Sequence, residues 1–286
     1  MIKFHIPDFY TCTFGKMNLK LIDLIEDFPN CFHDGITIGS IFGTFPNAIW
    51  NGGRVISGNF VDKNTMIKII KKFNQKNIPL RFTFTNSQIG VDHLTNEYCN
   101  QILTLSDNGL NEIIINNSIL EEYLRNQYPN FKFILSTTSG IRGIDEINDA
   151  CERYDYVVLD YNDNKDLNVL NNIKNKDKIE ILLNESCMPN CPIRKQHYNS
   201  ISNSQLNNKS TDIFRCPYSM AAIYNKELQE YSPTIITESE LYKIYVNMGF
   251  NNFKLQGRGD TINRVLDSYI LYMVKPEYKD FIKSKF

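Results

Sequence analysis

YDYVVLDY, residues 154–161, is apolar and β-branched through its middle, Tyr156 to Leu159. A strand with one wet face alternates. A continuous run such as this one suits a parallel strand covered on both faces. Similar runs stand at 35–43 (GITIGSIFG), 79–86 (PLRFTFTN), 112–117 (EIIINN), 131–138 (FKFILSTT) and 178–185 (KIEILLNE). Two weaker ones follow, PTIITE at 233–238 and NNFKLQGRG at 251–259.

Amphipathic helical patterns lie between these runs. Met66, Ile67, Ile70 and Phe73 share one stripe, and Leu94, Tyr98, Ile102 and Leu105 share another. Ser118 reads as an N-cap with Glu121 three residues later, and Gly249 reads as a C-cap. Eight strands with intervening helices in 286 residues predict a TIM-like (β/α)8 barrel forming a single domain, 1–286. An open doubly wound sheet is the alternative, but no G-x-G-x-x-G follows the first strand. The rhythm breaks at 186–231, a long insertion after strand six, and long loops in compact domains are usually functional or disordered.

The bulk numbers bound the function. Hydrophobic residues make up 42% and charged residues 22%, enough for a folded core. A net charge of −1 gives no basic field, which disfavours nucleic acid and anionic membrane as partners. No apolar stretch reaches the length of a membrane span, and MIKFHIPDFY lacks a signal-peptide layout, so a cytoplasmic protein is expected. Seven cysteines in that compartment point to metal or redox use rather than to a disulfide framework.

Three of the seven lie in the insertion. NESCMPNCPIRKQHY, 184–198, holds Cys187 and Cys191, and Cys216 follows in FRCPYS. Proline after Cys191 and after Cys216 stiffens each turn. Three thiolates at a barrel mouth suit a four-iron, four-sulfur cluster whose last iron is open, or zinc. Three unrelated buried cysteines are the plain alternative. His197 or Cys31 would be a fourth ligand. The C-x3-C-x2-C pattern of radical chemistry needs a cysteine at 194, where Arg194 stands.

RFTFTNSQI, LNEYCNQIL, IIINNSILEEYL, NESCMPNCPIRKQHY and GFNNFKLQGRG together resemble the collagenase-like peptidase family, peptidase U32, over roughly 80 to 260. The resemblance implies a TIM-like barrel. Better-understood members are iron–sulfur proteins of oxygen-independent hydroxylation, and protease activity is ascribed to others. It also implies that Cys187, Cys191 and Cys216 are cluster ligands, although the family usually has four cysteines there.

Strand ends supply the other candidates, because barrel active sites gather at the C-terminal ends of strands. SIFGTFPNAIWNGGRVISGNF offers Asn47, Trp50 and Asn51 as substrate contacts and Arg54 as a clamp for carboxylate or phosphate. Asn86 and Asn117 are further substrate contacts, Glu185 is a candidate proton shuttle, and Arg258 is a candidate anion contact. No G-x-S-x-G or H-E-x-x-H occurs, and the histidines are scattered. The sequence therefore predicts an iron–sulfur barrel enzyme acting on a small organic molecule, with an electron-donor or partner protein. The alternatives are a zinc-stabilised partner subunit or a peptidase-like protein.

Overall fold

A computed structural model describes residues 1–185, 187–207, 216 and 233–286. Eight parallel strands close into one barrel: β1 Ile2–Pro7, β2 Ile36–Gly43, β3 Leu80–Phe84, β4 Glu112–Ile115, β5 Lys132–Leu135, β6 Tyr156–Val158, β7 Ile179–Leu182 and β8 Asn252–Lys254. The seam is β1 on β8, with Phe4 opposite Phe253 and His5 opposite Lys254. Helices alternate with the strands around the outside, including α1 Cys12–Asp27, α2 Lys63–Asn74, α3 Glu97–Ser106, α4 Ser118–Gln127, α5 Ile144–Arg153, α6 Leu167–Asn172 and α7 Arg194–Leu206. Among the described residues no helix is long and apolar enough to cross a membrane.

The barrel is the expected one, with one strand exchanged. MIKFHIP forms β1, which the apolar-run criterion passed over because Lys3 and His5 interrupt it. PTIITE makes only an isolated antiparallel bridge, Asn184 to Ile235. The cysteine insertion consequently follows the seventh strand. Its residues 208–215 and 217–232 lie outside the described residues. Asn117, not Ser118, caps α4, its side chain accepting from the Leu120 amide. Gly249 takes the expected left-handed conformation, φ +97°.

Strand alternation sorts the side chains into two cores. Phe4, Ile6, Leu80, Phe82, Ile113, Phe133, Val157, Ile181 and Phe253 face outward and pack under the helices, where Leu21, Ile70, Ile102 and Leu120 meet them. Phe42, Ile114, Ile134, Val158, Leu182 and Tyr161 form a separate cluster inside the barrel.

The barrel interior also holds a buried ionic cluster. Arg81 of β3 and Glu180 of β7 are both fully buried. Arg81 Nε donates to Glu112 Oε2 at 2.6 Å, and its Nη1 donates to Glu180. Lys254 Nζ donates to the other Glu180 oxygen at 3.0 Å. His5 completes the group: Nδ1 is 2.7 Å from Ser40 Oγ, and Nε2 is 3.4 Å from Glu180. Gly39 is required beside it, since a Cβ there would lie 2.7 Å from His5 Cε1.

Burial alone would raise the Glu180 pKa, but Arg81 and Lys254 override it and hold the carboxyl well below its usual range. Burial, and then Arg81, push His5 down to about 3 despite Glu180. The unfolded chain therefore binds a proton at His5 that the native state refuses, throughout the window from about 6.5 down to about 3.

Stability should fall as pH drops below about 6.5, with a His5 share approaching roughly 1.4 kcal/mol per pH unit. Urea titrations between pH 6.5 and 5 should give a His5→Asn variant a slope shallower by that amount. Equal slopes for the two proteins would refute the assignment.

Candidate functional site

A cavity of about 150 Å³ opens at the C-terminal ends of the strands. Phe42, Ile114, Val158 and Leu182 line it from the inner apolar cluster. Thr83, Thr85, Ser136, Gln256 and Arg258 add polar groups, and Lys254 reaches it from β8.

Arg258 is the most constrained of these. Its Nη1 donates to Thr83 Oγ1 at 2.7 Å and Asn51 Oδ1 at 3.1 Å, and its Nη2 donates to the Gly52 carbonyl at 3.1 Å. All three acceptors are neutral. Among the described residues no carboxylate lies within ion-pair distance of it. Burial, and then Arg54, lower its pKa to about 10, so it is still a cation at neutral pH. A partly desolvated cation with no carboxylate at ion-pair distance is an open demand for an anion.

The NGGR loop after β2 builds this arrangement. Asn51 is fully buried, and its Oδ1 accepts from both Thr83 and Arg258. A Cβ on Gly52 would fall 2.2 Å from the Thr85 carbonyl oxygen. Gly53, at φ +79°, would carry its Cβ 2.8 Å from Arg258 Nη2. Backbone this close to a side chain requires glycine. Arg54 is exposed beside the cavity and donates from Nε to the Arg258 carbonyl at 3.3 Å.

The other expected contacts do structural work. Trp50 is wholly buried, edge-on to Phe84 at 5.4 Å, with Nε1 donating to the His93 carbonyl. Asn47 pins its own loop, donating to the Gly58 carbonyl at 2.6 Å. Asn86 donates to the carbonyls of Ile49 and Ser202. Asn117 caps α4 and donates to the Ile89 carbonyl. None of the four lines the cavity. Glu185 is buried, and its oxygens accept from the Cys187 amide, Gln256 Nε2 and Arg194 Nη2. It orients the neighbouring residues.

Cys187 and Cys191 flank one turn. Cys187 is half-buried against the inner apolar cluster, and burial raises its thiol pKa against the pull of Arg194. Tyr161 fastens the turn: its hydroxyl donates to the Met188 carbonyl at 2.7 Å and accepts from the Cys191 amide at 3.4 Å. Arg194 lies over the Tyr161 ring at 4.1 Å. Cys216 is half-buried, but the residues on both sides of it are outside the description. Among the described residues no three His, Cys, Asp or Glu side chains form a metal-holding group. The described residues therefore do not by themselves complete a metal centre.

Sequence reasoning missed Lys254, Tyr198 and α7. Lysine inside the short strand of FKLQ, two residues from Gln256 and four from Arg258, carries the period that would have found the first. Helix α7 leaves the β7 side of the barrel and docks on the loops after β2 and β3, across the mouth. Gln205 Oε1 accepts from the Ile56 amide at 2.7 Å, and its Nε2 donates to the Ala48 and Ile56 carbonyls. Ser202 and Asn199 bond Ser87. Tyr198, one residue before these anchors, lines the cavity.

Known proteins share parts of this picture. No family model matches the chain. An uncharacterized protease of Methanocaldococcus jannaschii is 26% identical over 244 residues, covering 80% of this chain and 71% of that protein. The solved structure of the U32 peptidase Mk0906 superposes with a TM-score of 0.53, covering 90% of this chain and 93% of that one. At 12% identity that likeness speaks for the fold alone. The fold is the one that the resemblance to the U32 peptidase family implies.

Gln205→Leu strands the Ile56 amide and leaves the Ala48 and Ile56 carbonyls one backbone partner each, at a cost of about 1–3 kcal/mol. Amide hydrogen exchange should then quicken across 194–206 and leave the β-strands unchanged. Unaltered protection of α7 would show that these bonds do not hold it.

Proposed function

We propose that this chain is an enzyme of the U32 peptidase-like kind, acting on a small organic anion held in the barrel mouth. One observation carries the reading: Arg258 is a half-buried guanidinium on the cavity wall, with neutral acceptors on its inner side and no carboxylate at ion-pair distance among the described residues. The anion completes the charge balance. Arg54, beside it, adds attraction from the solvent side. The apolar patch of Phe42, Ile114, Val158 and Leu182 accommodates a short carbon skeleton, and Thr85 and Ser136 offer hydroxyls to its polar groups. A free organic acid and the carboxyl end of a peptide share this chemistry.

The residues assign themselves roles without further groups. Arg258 binds the anion, Asn51 and Thr83 fix its guanidinium plane, and Tyr198 narrows access to water. Glu185 holds Gln256 and Arg194 in place from the adjoining loop.

A second reading follows the cysteine turn. Cys187, Cys191 and Cys216 would hold a four-iron, four-sulfur cluster, with an electron-donor protein supplying a redox or oxygen-independent hydroxylation reaction. Zinc is the alternative occupant. Two half-buried thiols on one fastened turn support it. When bound, a cluster supplies one-electron chemistry.

Isothermal titration against a panel of small carboxylates and their neutral amides should find binding only among the acids. Arg258→Gln should weaken that binding about ten- to hundredfold, the share of a charge-assisted contact. Equal binding of acid and amide would sink the anion reading. Separately, protein purified without oxygen should carry iron and sulfide that Cys187→Ala and Cys191→Ala each remove; full metal content in both variants would eliminate the cysteine assignment.

A further inference from the structure

We infer that Lys254 is an imine-forming residue, and that the anion held by Arg258 belongs to a small carbonyl compound, such as an oxo acid. The inference rests on the anion-binding reading above and names the reacting group within that site. Lys254, Gln256 and Arg258 occupy alternate positions leaving β8, and all three line the cavity. Lys254 Nζ and the Arg258 guanidinium rest against the same ring, 4.5 Å and 5.8 Å from the Phe42 centroid. A molecule touching both presents its acid group to Arg258 and its carbon skeleton to the amine.

An ion pair with Glu180 is the ordinary explanation of a buried lysine, and it accounts for one of the three Nζ–H directions. It does not account for the place. Arg81 already donates to Glu180, while Lys254 retains 10% side-chain exposure, toward a cavity whose neighbouring walls are apolar. The groups facing Nζ are Glu180, Arg81, His5 and, further out, Arg258. Burial is the largest influence on the amine, and with Arg81 and Arg258 it outweighs Glu180, bringing its pKa down to about 8. Roughly a tenth of the amine is then free at pH 7, against well under a thousandth for an ordinary lysine.

The step balances within the site. The free amine attacks the carbonyl carbon, and a C–N bond forms. The nitrogen sheds a proton to cavity water, and the former carbonyl oxygen takes up protons and leaves as water. No oxidant or reductant is needed. Glu180, held ionised by Arg81, is too weak a base to take the proton, but its fixed charge stabilises the cationic iminium.

Borohydride trapping tests this on the intact protein. Pyruvate is the acidic probe and propanal the neutral one, each reduced in place and located by peptide mass mapping. We expect Lys254 to carry both adducts, with labelling rising through about pH 8. Lys254→Arg preserves a cation for Glu180 and should abolish trapping at this position. Arg258→Gln should cut the ratio of pyruvate to propanal labelling about tenfold, the ratio cancelling any change in the amine itself. Wild-type protein unlabelled at Lys254 by either probe, or labelled no faster than surface lysines, overturns the inference whatever the variants do. If calorimetry shows pyruvate binding that depends on Arg258 while trapping fails, the imine alone falls. If both probes label Lys254 equally and Arg258→Gln changes neither, the anion-binding reading falls and the amine's role stands.

Discussion

The Glu180 carboxylate is the pivot of the barrel interior. It takes a hydrogen bond from Arg81 across the barrel and another from Lys254 on the adjacent strand, with His5 at 3.4 Å. β3, β7, β8 and β1 are thereby tied through one residue that has no access to water. A buried ion pair of this kind is seldom a net source of stability, but removing one partner strands the other. Its value here is positional. The charges fix which residues of each strand point inward, and a slip by one residue would turn Arg81 or Glu180 toward the helices.

That same cluster reaches the functional end. Lys254 belongs both to the ionic group and to the cavity wall. Its position and charge are therefore set from inside the barrel, while Arg258, four residues on, is set by the NGGR loop. The two cations are held by independent parts of the fold. Asn51 and Gly53 determine one, and Glu180 and Arg81 determine the other.

Much of the architecture was legible because outward-facing strand residues and the helix stripes are long apolar patterns. β1 escaped because Lys3 and His5 face the polar interior and dilute its run. PTIITE misled for the opposite reason: its β-branched residues favour extended backbone, yet the closed barrel has no vacant edge for it. The site was legible only in part. Arg258 and Asn51 came up in the sequence because each sits in a glycine-rich stretch after a strand. Trp50, Asn86 and Asn117 were drawn in by the same logic, but the structure spends them on packing and capping. Arg81, Glu112 and Glu180 were passed over because a charge inside a strand gains meaning only when register supplies its partner. Helix α7 was hidden by its polar composition, since its docking relies on Gln205, Ser202 and Asn199 rather than on an apolar stripe.

A helix laid from the β7 side to the loops beyond β2 and β3 acts as a crossbar over a narrow well. The bar is fastened by exchangeable polar bonds as well as by Ile201 and Leu206. Entry and exit can thus be reshaped without loosening the wall beneath.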